Sequence, residues 1–104
     1  VSDAVDFEGE LFEWRGPSPF HFIAVPDDEA DLIRQVAALA SYGWGVIPVS
    51  ARIGRTTFTT SLFPKDGGYL LPVKDAVRRP ERLALGDSVR VRMEVDMTRA
   101  RRRH

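Results

Sequence analysis

Val46-Ile47-Pro48-Val49-Ser50-Ala51-Arg52-Ile53-Gly54 opens the segment that decides the fold. A hydroxyl-rich run follows, Thr56-Thr57-Phe58-Thr59-Thr60-Ser61-Leu62-Phe63-Pro64, and then Lys65-Asp66-Gly67-Gly68-Tyr69-Leu70-Leu71-Pro72-Val73-Lys74. The chain closes on Val89, Val91, Met93, Val95 and Met97 alternating with Arg90, Arg92, Glu94, Asp96 and Thr98. Strict alternation places one face in a core and the other in water, the signature of a half-buried strand. Trp44 to Arg52 reads as a strand, Ile53-Gly54 as a tight turn, and Arg55 to Phe63 as the returning hairpin partner. Pro64 to Gly68 is the strongest turn signal, because glycine supplies positive φ without steric cost. Tyr69 to Val73 is a short strand, and Pro72 predicts an edge or a bulge there. Leu85-Gly86-Asp87 turns into the last strand.

Working outward, Val5 to Trp14 predicts a strand, with Val5, Phe7 and Leu11 on one face and Asp6, Glu8 and Glu10 on the other. Arg15 to Pro19 is a turn, and Phe20 to Val25 is the antiparallel second strand. Asp27 to Ser41 predicts the one long helix. Its acidic first turn suits the positive end of the helix dipole. Ile33, Val36, Ala37 and Ala40 form its apolar stripe, widened by Leu32 and Leu39, and Gly43 stops it. Lys74 to Arg79 predicts one or two further helical turns, ended by Pro80. The expected architecture is mainly β with one long helix (α+β), a small β-barrel capped by helices.

At 104 residues the chain has the size of one domain. The expected division is a barrel domain over residues 1–98 and a flexible basic tail over 99–104. No apolar run approaches the length that crosses a bilayer. There are no cysteines, which excludes disulfides and thiolate metal ligands and fits a cytoplasmic protein. Formal net charge is zero, so no long-range field draws the chain to nucleic acid or membrane.

The ordered series Tyr42-Gly43-Trp44-Gly45, Ala51-Arg52-Ile53-Gly54, Thr60-Ser61-Leu62-Phe63-Pro64, Gly68-Tyr69-Leu70-Leu71-Pro72-Val73-Lys74, Ala76-Val77-Arg78 and Leu85-Gly86-Asp87-Ser88-Val89 resembles the bacterial family called domain of unknown function nineteen-oh-five. Phe22-Ile23-Ala24-Val25-Pro26 ahead of an acidic helix fits as well. No single motif is specific, but their order is, from about Phe7 to Val95. The resemblance implies a double-split β-barrel, a pseudobarrel with helices at its ends. It carries no reaction and no site residue. The wider fold is shared with DNA-binding transition-state regulators, an analogy at fold level.

The residues are compatible with three kinds of function. The first is a non-enzymatic module for a small anion or a protein partner. Thr57, Thr59 and Ser61 share one strand face, opposite Thr56, Phe58, Thr60 and Leu62, and a row of hydroxyls can grip a phosphate or a sugar. Threonine is also simply a good strand residue, and that reading is preferred for the strip as a whole. Lys74 and Arg78, four residues apart, would face one way on a helix and form an anion site with Arg52 or Arg55 nearby. A solvated basic face, or pairing with the acidic first strand, stands slightly ahead. The expected ligand-contacting set is Arg52, Thr60, Ser61, Lys74 and Arg78.

The second is a nucleic-acid-binding regulator, supported by Arg90, Arg92 and the Arg99 to Arg103 tail. The third is a small enzyme. Ser61, His21 and Asp87 are nameable, but no nucleophile elbow or phosphate-binding glycine loop occurs. A metal site has only His21 and His104 to start from, so no metal and no cofactor is expected. Trp14, Tyr42, Trp44 and Tyr69 can stack on a sugar or base, although a small barrel core also uses aromatics.

Overall fold

The computed structural model describes residues 4–15, 19–39 and 47–96. The elements run β1 (Val5–Arg15), β2 (Pro19–Ala24), α1 (Asp27–Leu39), β3 (Ile47–Ile53), β4 (Thr56–Lys65), β5 (Gly68–Pro72), α2 (Asp75–Arg78) and β6 (Ser88–Val95). The six strands close an antiparallel barrel in the order β1-β2-β5-β4-β3-β6.

Two long strands make the corners. Val5 to Glu10 of β1 pairs with β6, whereas Leu11 to Arg15 pairs with β2. Thr56 to Leu62 of β4 pairs with β3, whereas only Phe63 to Lys65 pairs with β5. The barrel is therefore two sheets that share β1 and β4. Strand alternation sends Leu11, Ile23, Ile47, Val49, Leu62, Leu71, Val91 and Met93 inward, all essentially inaccessible to water. The last strand shows the expected alternation at every residue from Ser88 to Val95.

Turn chemistry sets the hairpins. Gly54 has φ of 58°, and Ile53 pairs with Thr56 across the Gly54-Arg55 turn. Positive φ at the first central residue alone is the type II′ pattern. A Cβ at Gly54 would stand 2.0 Å from Oε1 of Glu81, so that a larger residue there would displace the Glu81 carboxylate. The β4–β5 turn is tighter than expected. Pro64 and Lys65 belong to β4, and the turn is Asp66-Gly67 alone, with φ of 51° and 81°. Positive φ at both central residues is type I′, which matches the twist of the flanking strands.

Pro72 is expected to mark an edge or a bulge; β5 as a whole is instead enclosed between β2 and β4, and only its end, Leu71 and Pro72, lacks a β4 partner. Pro72 sits at its last residue, beyond the point where pairing with β4 ends. Val73 N–H donates to the His21 carbonyl at 2.9 Å, and Tyr69 accepts from Val25 N–H at 3.0 Å. Odd residues of β5 thus serve β2, and even residues point toward β4. Pro72 has no N–H to offer on that side, so it tolerates an unpaired seam.

Helix α1 spans 13 described residues, with the acidic first turn in place. It buries Ala30, Ile33 and Ala37 in the barrel core, with Val36 partly covered. Leu32 departs from the expected stripe and remains 49% exposed. It stands one position from Ile33, about 100° around the helix, and so off the buried face. Leu32→Ser is accordingly expected to shift stability by no more than about 0.5 kcal/mol, as read by urea unfolding. The C-terminal part of the expected helix (Ala40, Ser41, Gly43), the aromatic pair Tyr42 and Trp44, and the tail from Met97 onward lie outside the described residues. Arg34 ties α1 to the β4–β5 hairpin. It donates to Asp31 and to the Gly67 carbonyl, both at 2.6 Å, and lies 5.6 Å from the Tyr69 ring centre. No helix among the described residues is long and apolar enough to cross a membrane.

Candidate functional site

The unpaired seam opens on a groove of about 860 Å³. Its walls are Thr59, Thr60, Ser61 and Phe63 of β4, Phe20, His21 and Phe22 of β2, and Pro72 to Asp75 leading into α2. On β4, Thr60 pairs with buried Val49 and so faces inward, while Thr59 and Ser61 face outward, as the alternation predicts. The groove reaches both faces because β4 has lost β5 as a neighbour at this level.

One side of the groove is apolar. Phe12 on β1 and Phe22 on β2 are directly paired, as are Trp14 and Phe20. All four stand on the outer face of the barrel, since their neighbours Leu11 and Ile23 point inward. Phe22 is the hub, with ring centres of Phe12, Trp14, Phe20 and Phe63 at 6.1, 6.3, 6.3 and 6.1 Å. It is buried, whereas Trp14, Phe20 and Phe63 are 42%, 58% and 45% exposed. A run of neighbouring exposed aromatics is the kind of surface that marks contact sites. Lys65 Nζ covers Trp14 at 3.6 Å from the ring centre, leaving Phe20 and Phe63 as the open aromatic faces beside the groove.

The expected contact residues are divided. Thr60, Ser61 and Lys74 line this groove. Arg52 does not: its Nε donates to the Gly54 carbonyl at 3.0 Å, and it lines a smaller depression with Thr57 and Arg92. Arg78 is not among the groove residues either. It donates to Asp75 Oδ1 at 2.6 Å. The expected facing of Lys74 and Arg78 on one helix is corrected, because α2 begins at Asp75 and Lys74 is its N-cap with extended φ and ψ of −80° and 164°. Only residues with helical dihedrals share the spacing that aligns positions four apart. The expected alternative partner, the acidic first strand, is not what holds Arg78 and Arg79; both pair with Asp75.

The hydrogen bond from Arg78, and then its charge, hold the Asp75 carboxyl below the usual carboxylate range, with smaller help from Arg79 and His21. A carboxylate whose value is lowered on folding stabilises the native state above its unfolded value. That contribution is lost as pH falls through the lowered one. Asp75→Asn is therefore expected to lower stability slightly at neutral pH and to make no difference once pH has fallen below the lowered value, so that its profile is flatter below about pH 4, as checked by thermal unfolding across pH. Lys74, which lines the groove, has no carboxylate within ion-pair distance among the described residues.

Arg90 and Arg92 stand opposite carboxylates. Arg92 pairs with Asp6 at 3.2 Å and Arg90 with Glu8 at 3.8 Å across β1 and β6. Ser61 and His21 both border the groove, but Asp87 does not; its Oδ2 accepts the Ala84 N–H at 2.8 Å in the turn before β6. Among the described residues no three His, Cys, Asp or Glu side chains gather as a metal site would require. Of the aromatic wall, the sequence reading singles out Trp14 alone as a stacking candidate. The signal for the wall was present, since Phe20, Phe22, Phe12 and Trp14 occupy the strand faces opposite those of Leu11 and Ile23.

These features define a small antiparallel β-barrel with a half-open seam between two strands. The chain belongs to the family described as domain of unknown function (DUF1905), whose model matches residues 7–93. No curated protein matches it.

Proposed function

We propose that this domain is a non-enzymatic binding module whose ligand lies in the groove between β2, β4 and the start of α2. The observation that carries this is the meeting of an open aromatic wall, outward hydroxyls and Lys74 along the flank of β4 that has no strand beside it among the described residues. Aromatic area supplies apolar contact, and the few polar groups set orientation, the usual division in a ligand groove. Thr60, Ser61 and Lys74 are the contact residues retained here; Arg52 and Arg78 serve other partners. The regulator alternative is less well supported, since Arg90 and Arg92 already face carboxylates. The finer fold reading, a double-split barrel with helical caps, belongs to the same proposal. It is supported by the short β4–β5 pairing and by the burial of Ile33 and Val77 from the two helices.

The test is a chemical-shift titration at low salt against nucleotides, phosphosugars, a short DNA duplex and acidic peptides. Shifts centred on His21, Thr60, Ser61 and Lys74 are expected with a member of the anion or peptide classes. Shifts produced only by the duplex and lying outside the groove would overturn the proposal, as would no groove shift with any of them.

A further inference from the structure

The Gly54-Arg55 turn fixes which way each β4 amide points. Ile53 and Thr56 close a two-residue hairpin, so they form a hydrogen-bonded pair, and such pairs then alternate. Phe58, Thr60 and Leu62 therefore bond β3. Thr57, Thr59 and Ser61 stand in the intervening positions, with N–H and C=O directed away from β3. Two prolines agree with this phase. Pro48 lies opposite Ser61 in the β3–β4 ladder and Pro64 opposite Tyr69 in the β4–β5 ladder, positions at which those two ladders need no donor. On the far side, β5 reaches β4 only at Phe63 to Lys65. Among the described residues, Thr57, Thr59 and Ser61 thus present a row of backbone donors and acceptors with no strand beside it.

An open strand edge inside a barrel is a template for one more strand. Here the edge runs into the groove, with Phe63 at its end, Phe20 across from it and Lys74 nearby. Asp75, the adjacent carboxylate, is already engaged by Arg78 and Arg79, which leaves Lys74 as the charged lining residue with no ion-pair partner among the described residues. We propose that the β4 edge receives an extended acidic peptide segment of a partner protein as an added strand. Main-chain bonds to Thr57, Thr59 and Ser61 would hold it. An apolar side chain would rest between Phe20 and Phe63, and a carboxylate would meet Lys74. This is strand addition, in which backbone bonds give affinity and alternate side chains give selectivity. It rests on the groove reading above and goes further by naming the occupant and its conformation.

The experiment selects binders from a random heptapeptide display library and then studies the enriched sequences as synthetic peptides. Enrichment of sequences pairing an acidic residue with an aromatic or branched one is expected. On binding, the amides of Thr57, Thr59 and Ser61 should become slow to exchange with deuterium. N-methylation of the peptide at alternate residues should weaken binding about tenfold per lost bond, and the residues between should tolerate it. Ser61→Pro should weaken binding similarly, since it deletes an outward donor that β3 does not use. Lys74→Glu should shift selection from acidic toward basic peptides. If Ser61→Pro fails to fold, the N-methylated series decides alone. Peptides that move groove resonances yet leave the three amides unprotected and accept N-methylation everywhere would overturn strand addition while leaving the binding groove standing. No enriched peptide, with groove shifts from small anions alone, would do the same. Silence of the groove toward every probe would overturn both.

Discussion

Ile23→Ala is expected to cost about 2–5 kcal/mol of unfolding free energy, the largest effect of any single truncation considered for this domain. Ile23 is completely buried and lies opposite Leu11 on one side and Leu71 on the other. It therefore fills space beneath three adjacent strands. Deleting its side chain removes the transfer free energy of those methyl and methylene groups and leaves a void that three hydrogen-bonded strands cannot easily close. Urea unfolding reads the effect directly. A loss under about 1 kcal/mol would show that the β1-β2-β5 layer repacks freely, contrary to the dense interior expected of a small barrel.

Gly9→Ala should cost about 1–3 kcal/mol although it adds a single methyl group. Gly9 sits where β1 leaves β6 for β2. A Cβ there would lie 2.6 Å from Ile23 Cγ2 and 3.0 Å from the Ala24 carbonyl oxygen. Backbone crowds backbone at this corner, and a missing side chain is what allows the strand to cross. The two positions should be coupled. In the Ile23→Ala background the nearer obstacle is gone, so Gly9→Ala should cost less there than in the parent. Strict additivity in that double-mutant cycle would show that the carbonyl of Ala24, not the Ile23 side chain, sets the limit.

Strand identity was legible because local patterning suffices for it. Alternation from Val89 to Val95, glycine at Gly54 and Gly67, and the acidic start of α1 each act within a few residues of chain. Burial within those elements was less legible. Leu32 is as apolar as Ile33, and only the direction in which α1 faces the barrel leaves Leu32 in water. Lys74 and Arg78 share a helical spacing in the sequence, but the helix begins one residue too late for that spacing to hold.

The residues by themselves determined the family, the strands and the turns that join them, and which β4 side chains share a face, since each follows from period, propensity and order along the chain. Tertiary structure alone decided that β5 is enclosed, that β4 is paired on one flank over most of its length among the described residues, and that Phe20 and Phe63 line the same groove. The physical reason is closure. How two sheets share β1 and β4 depends on contacts between segments far apart in sequence, and it is the sharing that leaves backbone groups of Thr57, Thr59 and Ser61 without a neighbouring strand among the described residues. No local pattern encodes that vacancy, because it is defined by where a distant strand stops.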